Sequence, residues 1–356
     1  MIKLLIVDDS ALMRRQLSTL FQEEGDFDIR QARNGKEAVI ENRDFQPDVV
    51  TLDINMPEMD GITALSLIMT ERPVPVVMVS SLTEKGALAT FEALNLGAVD
   101  YIAKPDGTIS LSIGQIKNEL VSKVRVAARS QLKKSGSSVK GLAQRLREER
   151  EKPIVRPVAI RRSVSSDGLV IIGVSTGGPR TLEEILPLIP ADFPWPILVA
   201  QHMPAAFTRS FAERLNAICA LNVVEAATPI AISAGTIYIA KGGADMVLGQ
   251  RAGKLTVIPK PETAKFLWHP SVELLGRSVL ENYDPSRVVA VMLTGMGYDG
   301  ADAFTEIKKS GGRTIAESKA SAVVFGMPAE LIERGGASLV LPMEKIAAQI
   351  VTWAGR

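Results

Sequence analysis

Two stretches of the sequence gather residue types that do chemistry. In Gly173-Val174-Ser175-Thr176-Gly177-Gly178-Pro179 a serine stands between glycines two residues away on each side. An apolar run, Leu169–Val174, precedes it and a helical pattern follows from about Arg180. A sharp strand-to-helix turn of this kind presents a serine hydroxyl as a nucleophile, because side chains in place of the glycines would block a substrate. The first N–H groups of the following helix face the same point, so the stretch equally suits a phosphate, or a plain turn.

A serine nucleophile needs a general base, and near neutral pH that base is usually histidine. The chain has two histidines. His202, in Gln201-His202-Met203-Pro204, leaves the apolar strand Ile197–Ala200 on the sheet edge where Ser175 stands. His269, in Phe266-Leu267-Trp268-His269-Pro270, is expected to cap or pack at a helix entry. A carboxylate must then orient the imidazole and stabilise its charged form. Asp299 is the candidate, in Leu293-Thr294-Gly295-Met296-Gly297-Tyr298-Asp299-Gly300 beyond the strand Val288–Leu293. It also stands where it would N-cap a helix from Ala301, and one side chain can do both. Asp302, the rival, falls inside that helix. The glycines of this loop let backbone approach a substrate, and an N–H there would stabilise an oxyanion.

The second stretch is spread over the first 105 residues: Asp8 and Asp9, then Asp53, Ser80, and Lys104 before Pro105, each at the C-terminal end of an apolar run. Three carboxylates converging on one sheet edge repel one another unless a cation joins them. A hard divalent ion such as Mg²⁺ suits all-oxygen ligands and keeps positions open for water or phosphate. The lysine and the serine hydroxyl would hold phosphoryl oxygens from the other side.

The elements that must position these groups alternate regularly. Strands are expected at Lys3–Val7, Asp28–Gln31, Val49–Asp53, Val76–Ser80 and Tyr101–Ala103, separated by helical patterns, which is the signature of a parallel α/β sheet. Such sheets carry their sites at the carboxyl ends of the strands. From Gly168 the alternation resumes as a doubly wound, mostly parallel sheet. It is interrupted by shorter β pieces, Ile237–Ala240, Met246–Leu248 and Leu255–Ile258, expected as hairpins around Gly242-Gly243 and Ala252-Gly253. Arg313–Ala316 and Leu339–Leu341 complete that sheet, and a helix over Ile346–Trp353 closes it.

Between Arg129 and Arg162 eleven Lys or Arg face three Glu. With Ser135-Gly136-Ser137-Ser138 and two prolines, the segment reads as a solvated basic tether. It has no aromatic residue to stack on bases, which argues against single-stranded nucleic acid. The expected organisation is residues 1–128, a tether over 129–166, and a second domain over 167–356. With a formal charge of +1, 46% hydrophobic residues and a single cysteine, Cys219, the chain is expected to be an ordinary globular protein without a disulfide. The N-terminus reaches Asp8-Asp9 too soon for a signal peptide, and no apolar run approaches the ~20 residues of a membrane span, so a cytoplasmic address is expected.

The first region resembles a response-regulator receiver, a flavodoxin-like domain with a five-stranded parallel sheet. The resemblance implies that Asp53 accepts a phosphoryl group from a histidine kinase, and that Asp8 and Asp9 help it bind Mg²⁺. Ser80 would sense the phosphoryl group, Lys104 would pair with it, Tyr101 would act as a rotating aromatic switch, and Lys104-Pro105 would be a cis peptide. Taken with G-V-S-T-G-G-P, Q-H-M-P and L-T-G-M-G-x-D-G, nearly the whole chain resembles the chemotaxis protein-glutamate methylesterase (CheB) family. The implied activity is phosphorylation-gated hydrolysis of glutamate γ-methyl esters, with deamidation of specific glutamines, on chemoreceptors. Ser175, His202 and Asp299 would form the triad, the Met296 N–H would be an oxyanion donor and Thr176 would help position substrate, with no cofactor in this domain. The alternatives are the same enzyme class serving a non-chemotaxis chemosensory pathway, and a non-catalytic receiver-linked binding regulator, which the intact Ser, His and Asp set disfavours. A DNA-binding regulator is disfavoured because no helix-turn-helix pattern follows the receiver.

Overall fold

The computed structural model describes residues 1–81, 83–104, 109–130 and 168–355. The chain divides into two compact units, Met1–Val155 and Arg156–Arg356. The basic stretch 131–167 and Pro105, with its expected cis peptide, lie outside the described residues.

The first unit alternates β1 (Ile2–Val7), α1 (Ala11–Glu24), β2 (Phe27–Ala32), α2 (Gly35–Asp44), β3 (Val49–Asp53), α3 (Gly61–Glu71), β4 (Val76–Ser81), α4 (Glu84–Leu96), β5 (Asp100–Lys104) and α5 (Ile109–Arg129). The strands form one parallel sheet in the order β2-β1-β3-β4-β5. Helix α1 packs on α5, while α3 lies between α2 and α4, so both faces of the sheet are covered. This is why every residue of β3, and all but the last of β4, is buried with no alternation. Side chains one turn upstream start the helices: Ser10 accepts from Met13 N, Asn34 from Glu37 N, and Asp60 from Thr63 N. Each such cap satisfies a donor that the helix cannot, and contributes about 1 kcal/mol.

The second unit carries a seven-stranded parallel sheet and a small antiparallel one. Its elements begin β6 (Leu169–Val174), α6 (Gly178–Ile185), β7 (Ile197–Gln201), α7 (Ala205–Ile218), β8 (Asn222–Ala226), β9 (Ile230–Ala231), β10 (Thr236–Ala240), β11 (Ala244–Arg251) and β12 (Lys254–Pro261). They continue α8 (Val272–Asn282), β13 (Val288–Met292), α9 (Ala301–Lys309), β14 (Arg313–Glu317), α10 (Met327–Glu333), β15 (Leu339–Leu341) and α11 (Met343–Ala354). The large sheet runs β15-β14-β13-β6-β7-β10-β8 and the small one β11-β12-β9. Strand β6 is central, with β7 paired on one side and β13 on the other. The chain proceeds from β6 to β7 in one direction and reaches β13 in the other, so a crevice opens at the carboxyl end of β6. The register sets Gly173 beside Ala200 and also beside Met292, which aligns the ends of the three strands.

One expectation fails here. Ile237–Ala240 belongs to β10, a parallel strand between β7 and β8, and not to a hairpin around Gly242-Gly243. All five residues of β10 are buried, so the strand is covered on both faces and its burial has no period of two. Gly242 serves a close approach instead: a Cβ there would lie 2.2 Å from the Met203 carbonyl oxygen. The second expected hairpin is present. Strands β11 and β12 pair antiparallel from Ala244–Pro261 to Arg251–Lys254. Their two-residue loop, Ala252 at φ 49° and Gly253 at φ 72°, has the left-handed conformations that a tight hairpin needs.

The core of this unit joins Leu169, Ile171, Leu198, Val272, Ala290 and Phe304. Each fully buried large side chain of this kind contributes about 1.5–3 kcal/mol of hydrophobic stabilisation. Among the described residues no helix is long and apolar enough to cross a membrane.

Cys219 ends α7. Burial, with the nearby charge of Glu183, pushes its thiol up to about 12. The thiolate is the reactive form. Alkylation by iodoacetamide at pH 8 is therefore expected to be at least about 100-fold slower in the folded protein than after unfolding in urea. Equal rates would show that the thiol is not held protonated.

Candidate active site and carboxylate cluster

The loops that leave β6, β7 and β13 bring the three expected residues of the second unit together. Ser175 follows β6, and its N–H donates to the Thr294 carbonyl (3.0 Å). The His202 N–H donates to the Val174 carbonyl (3.1 Å), which carries the β6–β7 ladder one residue further. The Gln201 amide nitrogen bridges the carbonyls of Ser175 and His202, both at 3.0 Å. The two catalytic candidates are thus tied through backbone before their side chains meet.

The side chains meet in a line. His202 Nδ1 lies 3.0 Å from Ser175 Oγ, and His202 Nε2 lies 2.9 Å from Asp299 Oδ2. Asp299 also accepts from Val272 N (2.7 Å), Glu273 N (3.0 Å) and Ser271 Oγ (3.1 Å). Burial pushes its pKa up, but hydrogen bonding and charge from His202, with the N–H groups of Glu273 and Val272, outweigh that and hold it below the ordinary carboxylate range. An ionised carboxylate only accepts hydrogen bonds, so the imidazole proton sits on Nε2 and the Nδ1 lone pair faces the serine hydroxyl. That is the tautomer a general base requires.

Asp299 does cap a helix, but not the expected one. Helix α9 starts from Gly300 without a side-chain cap, whereas the Asp299 carboxylate receives the first N–H groups of α8. Gly300, the residue before α9, adopts φ 86°, a left-handed turn that a glycine takes readily.

Gly295 passes directly beside the serine: a Cβ there would lie 2.8 Å from Ser175 Cβ and 2.4 Å from Met327 Sδ. Met296 therefore follows a residue in contact with the nucleophile. The loop is braced from below. Thr294 Oγ1 donates to the Thr176 carbonyl (2.9 Å), and Thr294 N–H donates to the fully buried Glu317 (2.8 Å). Ser321 Oγ donates to the other Glu317 oxygen (2.8 Å). Thr176, next to the nucleophile, is buried.

His269 is tied to buried Asp245 (2.9 Å), in keeping with the packing role expected near a helix entry. Its neighbour Trp268 was not foreseen. The indole lies parallel to the His202 ring, with centroids 5.9 Å apart and planes 3° apart, and Tyr298 meets it edge-on at 5.2 Å. Gln201, Ser271 and Glu317 also escaped the sequence reading. An aromatic residue in a Pro-containing loop is a weak signal, and a polar residue inside a strand end is none.

In the first unit, Asp8, Asp9 and Asp53 offer carboxylate oxygens within 4.8 Å of one another. Lys104 Nζ reaches Asp8 Oδ2 at 2.9 Å and Asp53 Oδ2 at 3.0 Å. Burial pushes Asp53 up to about 6, with Lys104 opposing and Asp8 adding to the effect. One ammonium leaves this cluster two charges short of neutral, and its donors are all oxygen, so the residues fit a hard divalent cation. Ser80 is buried and donates to the Gly86 carbonyl (3.2 Å). Tyr101 is buried as well, with Lys123 Nζ 5.2 Å from its ring centroid.

A carboxylate-edged receiver sheet and a parallel α/β unit with a hydrogen-bonded serine, histidine and aspartate define the class of receiver-linked hydrolases. Residues 4–112 match the response regulator receiver domain and residues 170–350 match the CheB methylesterase. The chain is similar to protein-glutamate methylesterase/protein-glutamine glutaminase 3 of Rhodospirillum rubrum, 53% identical over 100% of this chain and 97% of that protein. It is 50% identical to the protein-glutamate methylesterase/protein-glutamine glutaminase of Caldanaerobacter subterraneus, over 97% of this chain and 95% of that one. The CheB methylesterase catalytic domain of Thermotoga maritima matches with TM-score 0.50 and 41% identity, over 52% of this chain and 97% of that one. The chain belongs to the CheB methylesterase family.

Proposed function

We propose that this chain hydrolyses γ-methyl esters of glutamate side chains on chemoreceptors, and deamidates specific glutamines there, under control of phosphorylation at Asp53. One observation carries the reading: His202 is hydrogen-bonded to Ser175 through Nδ1 and to Asp299 through Nε2. The relatives named protein-glutamate methylesterase/protein-glutamine glutaminase, which span the full chain, support the substrate class.

Ser175 Oγ attacks the ester carbonyl while its proton passes to His202 Nδ1. Asp299 stabilises the resulting imidazolium. The oxyanion takes the Met296 N–H, and Thr176 helps hold the substrate chain. The tetrahedral intermediate collapses, methanol leaves with the proton from His202, and an acyl-enzyme remains. Water then gives its proton to His202 as it attacks the acyl carbonyl, regenerating Ser175 and releasing the glutamate. With glutamine the leaving group is ammonia and the steps are the same. Every group these steps need is a side chain or backbone group of this unit.

Residues 1–128 serve as the receiver, 129–166 as a basic tether and 167–356 as the catalytic domain. Asp53 accepts the phosphoryl group from a histidine kinase, with Asp8 and Asp9 holding Mg²⁺ beside it. When bound, Mg²⁺ neutralises phosphoryl oxygens during transfer. Lys104 pairs with the phosphoryl group, Ser80 hydrogen-bonds it and Tyr101 responds by rotation. Unphosphorylated, the receiver restricts the active site; phosphorylation shifts the population towards the open state. A kinase donor and a receptor signalling region as partners support a cytoplasmic address.

The test is methanol release from methyl-labelled receptors. Acetyl phosphate with Mg²⁺ is expected to raise the wild-type rate at least about fivefold, the lower end of ordinary coupling between sites. Asp53→Ala is expected not to respond. An equal response from both proteins would remove Asp53 from the control of the enzyme, and no methanol from either would remove the substrate assignment.

A further inference from the structure

Trp268 lies outside the hydrogen-bonded set, yet its indole is stacked parallel to the imidazole of His202, with ring centroids 5.9 Å apart. We propose that Trp268 is a positioning residue for His202, holding the imidazole in the plane that contains Ser175 Oγ and the Asp299 carboxylate. The inference rests on the esterase reading above for its substrate, but not for its geometry.

Hydrogen bonds at both ring nitrogens fix where the imidazole edges lie and leave the ring free to tilt about the line joining them. A parallel indole 3° from that plane resists the tilt and still permits sliding within the plane. Sliding is the motion required, because His202 must accept a proton from Ser175 and then return it to a leaving group placed slightly differently. The stacked face also meets the charge that appears on the ring: an imidazolium over an indole is favoured over neutral imidazole.

The surroundings of Trp268 are shaped to hold it there. Gly297 adopts φ 84°, and a Cβ on it would lie 2.7 Å from Trp268 Cζ2 and 2.9 Å from Cη2. Tyr298 then presents its ring edge-on to the indole. The segment carrying Trp268 is tied down beyond it: His269 Nδ1 and Ser271 N both bond Asp245 Oδ1, at 2.9 and 2.7 Å. Ser271 Oγ bonds Asp299, so the same segment braces the carboxylate and sets the indole parallel to the imidazole. The adjacent Leu267, 73% exposed, shows what an apolar side chain does on this loop when nothing holds it.

Trp268→Ala is expected to lower kcat about tenfold with little change in KM, and Trp268→Phe to recover most of the loss because a phenyl ring supplies a face. A second measurement needs no receptor. A small alkyl fluorophosphonate bonds its phosphorus to Ser175 Oγ as fluoride departs and His202 takes the proton. The rate of this labelling should fall by a similar factor in Trp268→Ala. Matching urea midpoints in both variants exclude a general loss of fold. Unchanged kcat and labelling rate in Trp268→Ala would overturn the inference. So would a loss confined to KM, which marks a substrate contact, or a Phe variant no better than Ala. Efficient labelling of Ser175 in a wild-type chain that releases no methanol would overturn the esterase reading instead, and the labelling rates of the variants would still decide the role of Trp268.

Discussion

Ser175→Ala is expected to lower methanol release by roughly 10⁴-fold or more, about 5.5 kcal/mol of transition-state stabilisation. The size of the effect follows from the geometry. Ser175 Oγ is the atom that faces the His202 lone pair, and a water in its place would have to be ordered without the β6–α6 turn that fixes the hydroxyl. The fold should survive, because the backbone bonds that set the turn, Ser175 N to Thr294 O and Gly178 N to Ser175 O, do not use the side chain. His202→Ala should cost about as much. The double variant should cost little more than either one, since a nucleophile and its base act as a unit. Loss factors that multiply in the double variant would mean that the two act independently, against the proposed mechanism.

Asp299→Asn is the second large effect and the more diagnostic one. Its two oxygens take four donors: His202 Nε2 and Val272 N on Oδ2, Ser271 Oγ and Glu273 N on Oδ1. A carboxamide keeps one acceptor oxygen and turns an NH₂ towards the other pair. If its oxygen takes the Oδ1 place, it keeps Ser271 Oγ and Glu273 N, its NH₂ faces His202 and Val272 N, the His202 proton moves to the ring nitrogen facing Ser175 and the base is lost. A fall in kcat of about 10³–10⁴ is expected. If its oxygen takes the Oδ2 place, His202 and Val272 N keep their acceptor, the Glu273 N–H is left facing an NH₂, and stability drops by about 1–3 kcal/mol.

The pH dependence has a defined sign. The native pKa of Asp299 lies below the ordinary carboxylate value, so its contribution to stability is fully present above the unfolded value, about 3.9, and is lost as pH falls through the native one. The stability gap between wild type and Asp299→Asn should therefore narrow as pH falls below about 4. A gap that stays constant to pH 2 in urea melts would show that the charge of Asp299 contributes nothing to folding.

Much of the receiver was legible because its chemistry lies at strand ends. Asp53 ends β3, Ser80 lies one residue before the end of β4 and Lys104 ends β5, and a parallel sheet brings consecutive strand ends to one edge whatever the details of packing. The proposed catalytic residues were legible for the same reason. Ser175 and His202 directly follow β6 and β7, which are neighbours in the sheet. Other elements were not, β10 and α10 among them. Strand β10 was read as part of a hairpin, since a strand five residues long and covered on both faces carries no alternation to show which neighbour it pairs with. Helix α10, with seven residues and a glycine and proline at its start, has too few turns to show a period.

The sequence by itself determined the two α/β units, the residue types at the strand ends and the identity of the serine, histidine and aspartate. These follow from local apolar runs, turn residues and the order of elements along the chain. Tertiary structure alone decided which helix Asp299 serves, which nitrogen of His202 faces the serine, and that the Trp268 indole lies parallel to the imidazole. Each of these joins groups from loops 27 to 97 residues apart, such as Ser175 with His202 and His202 with Asp299. No local pattern encodes such a contact. It forms only when the sheet register has set the loops side by side and glycines such as Gly295 and Gly297 have let them close to contact distance.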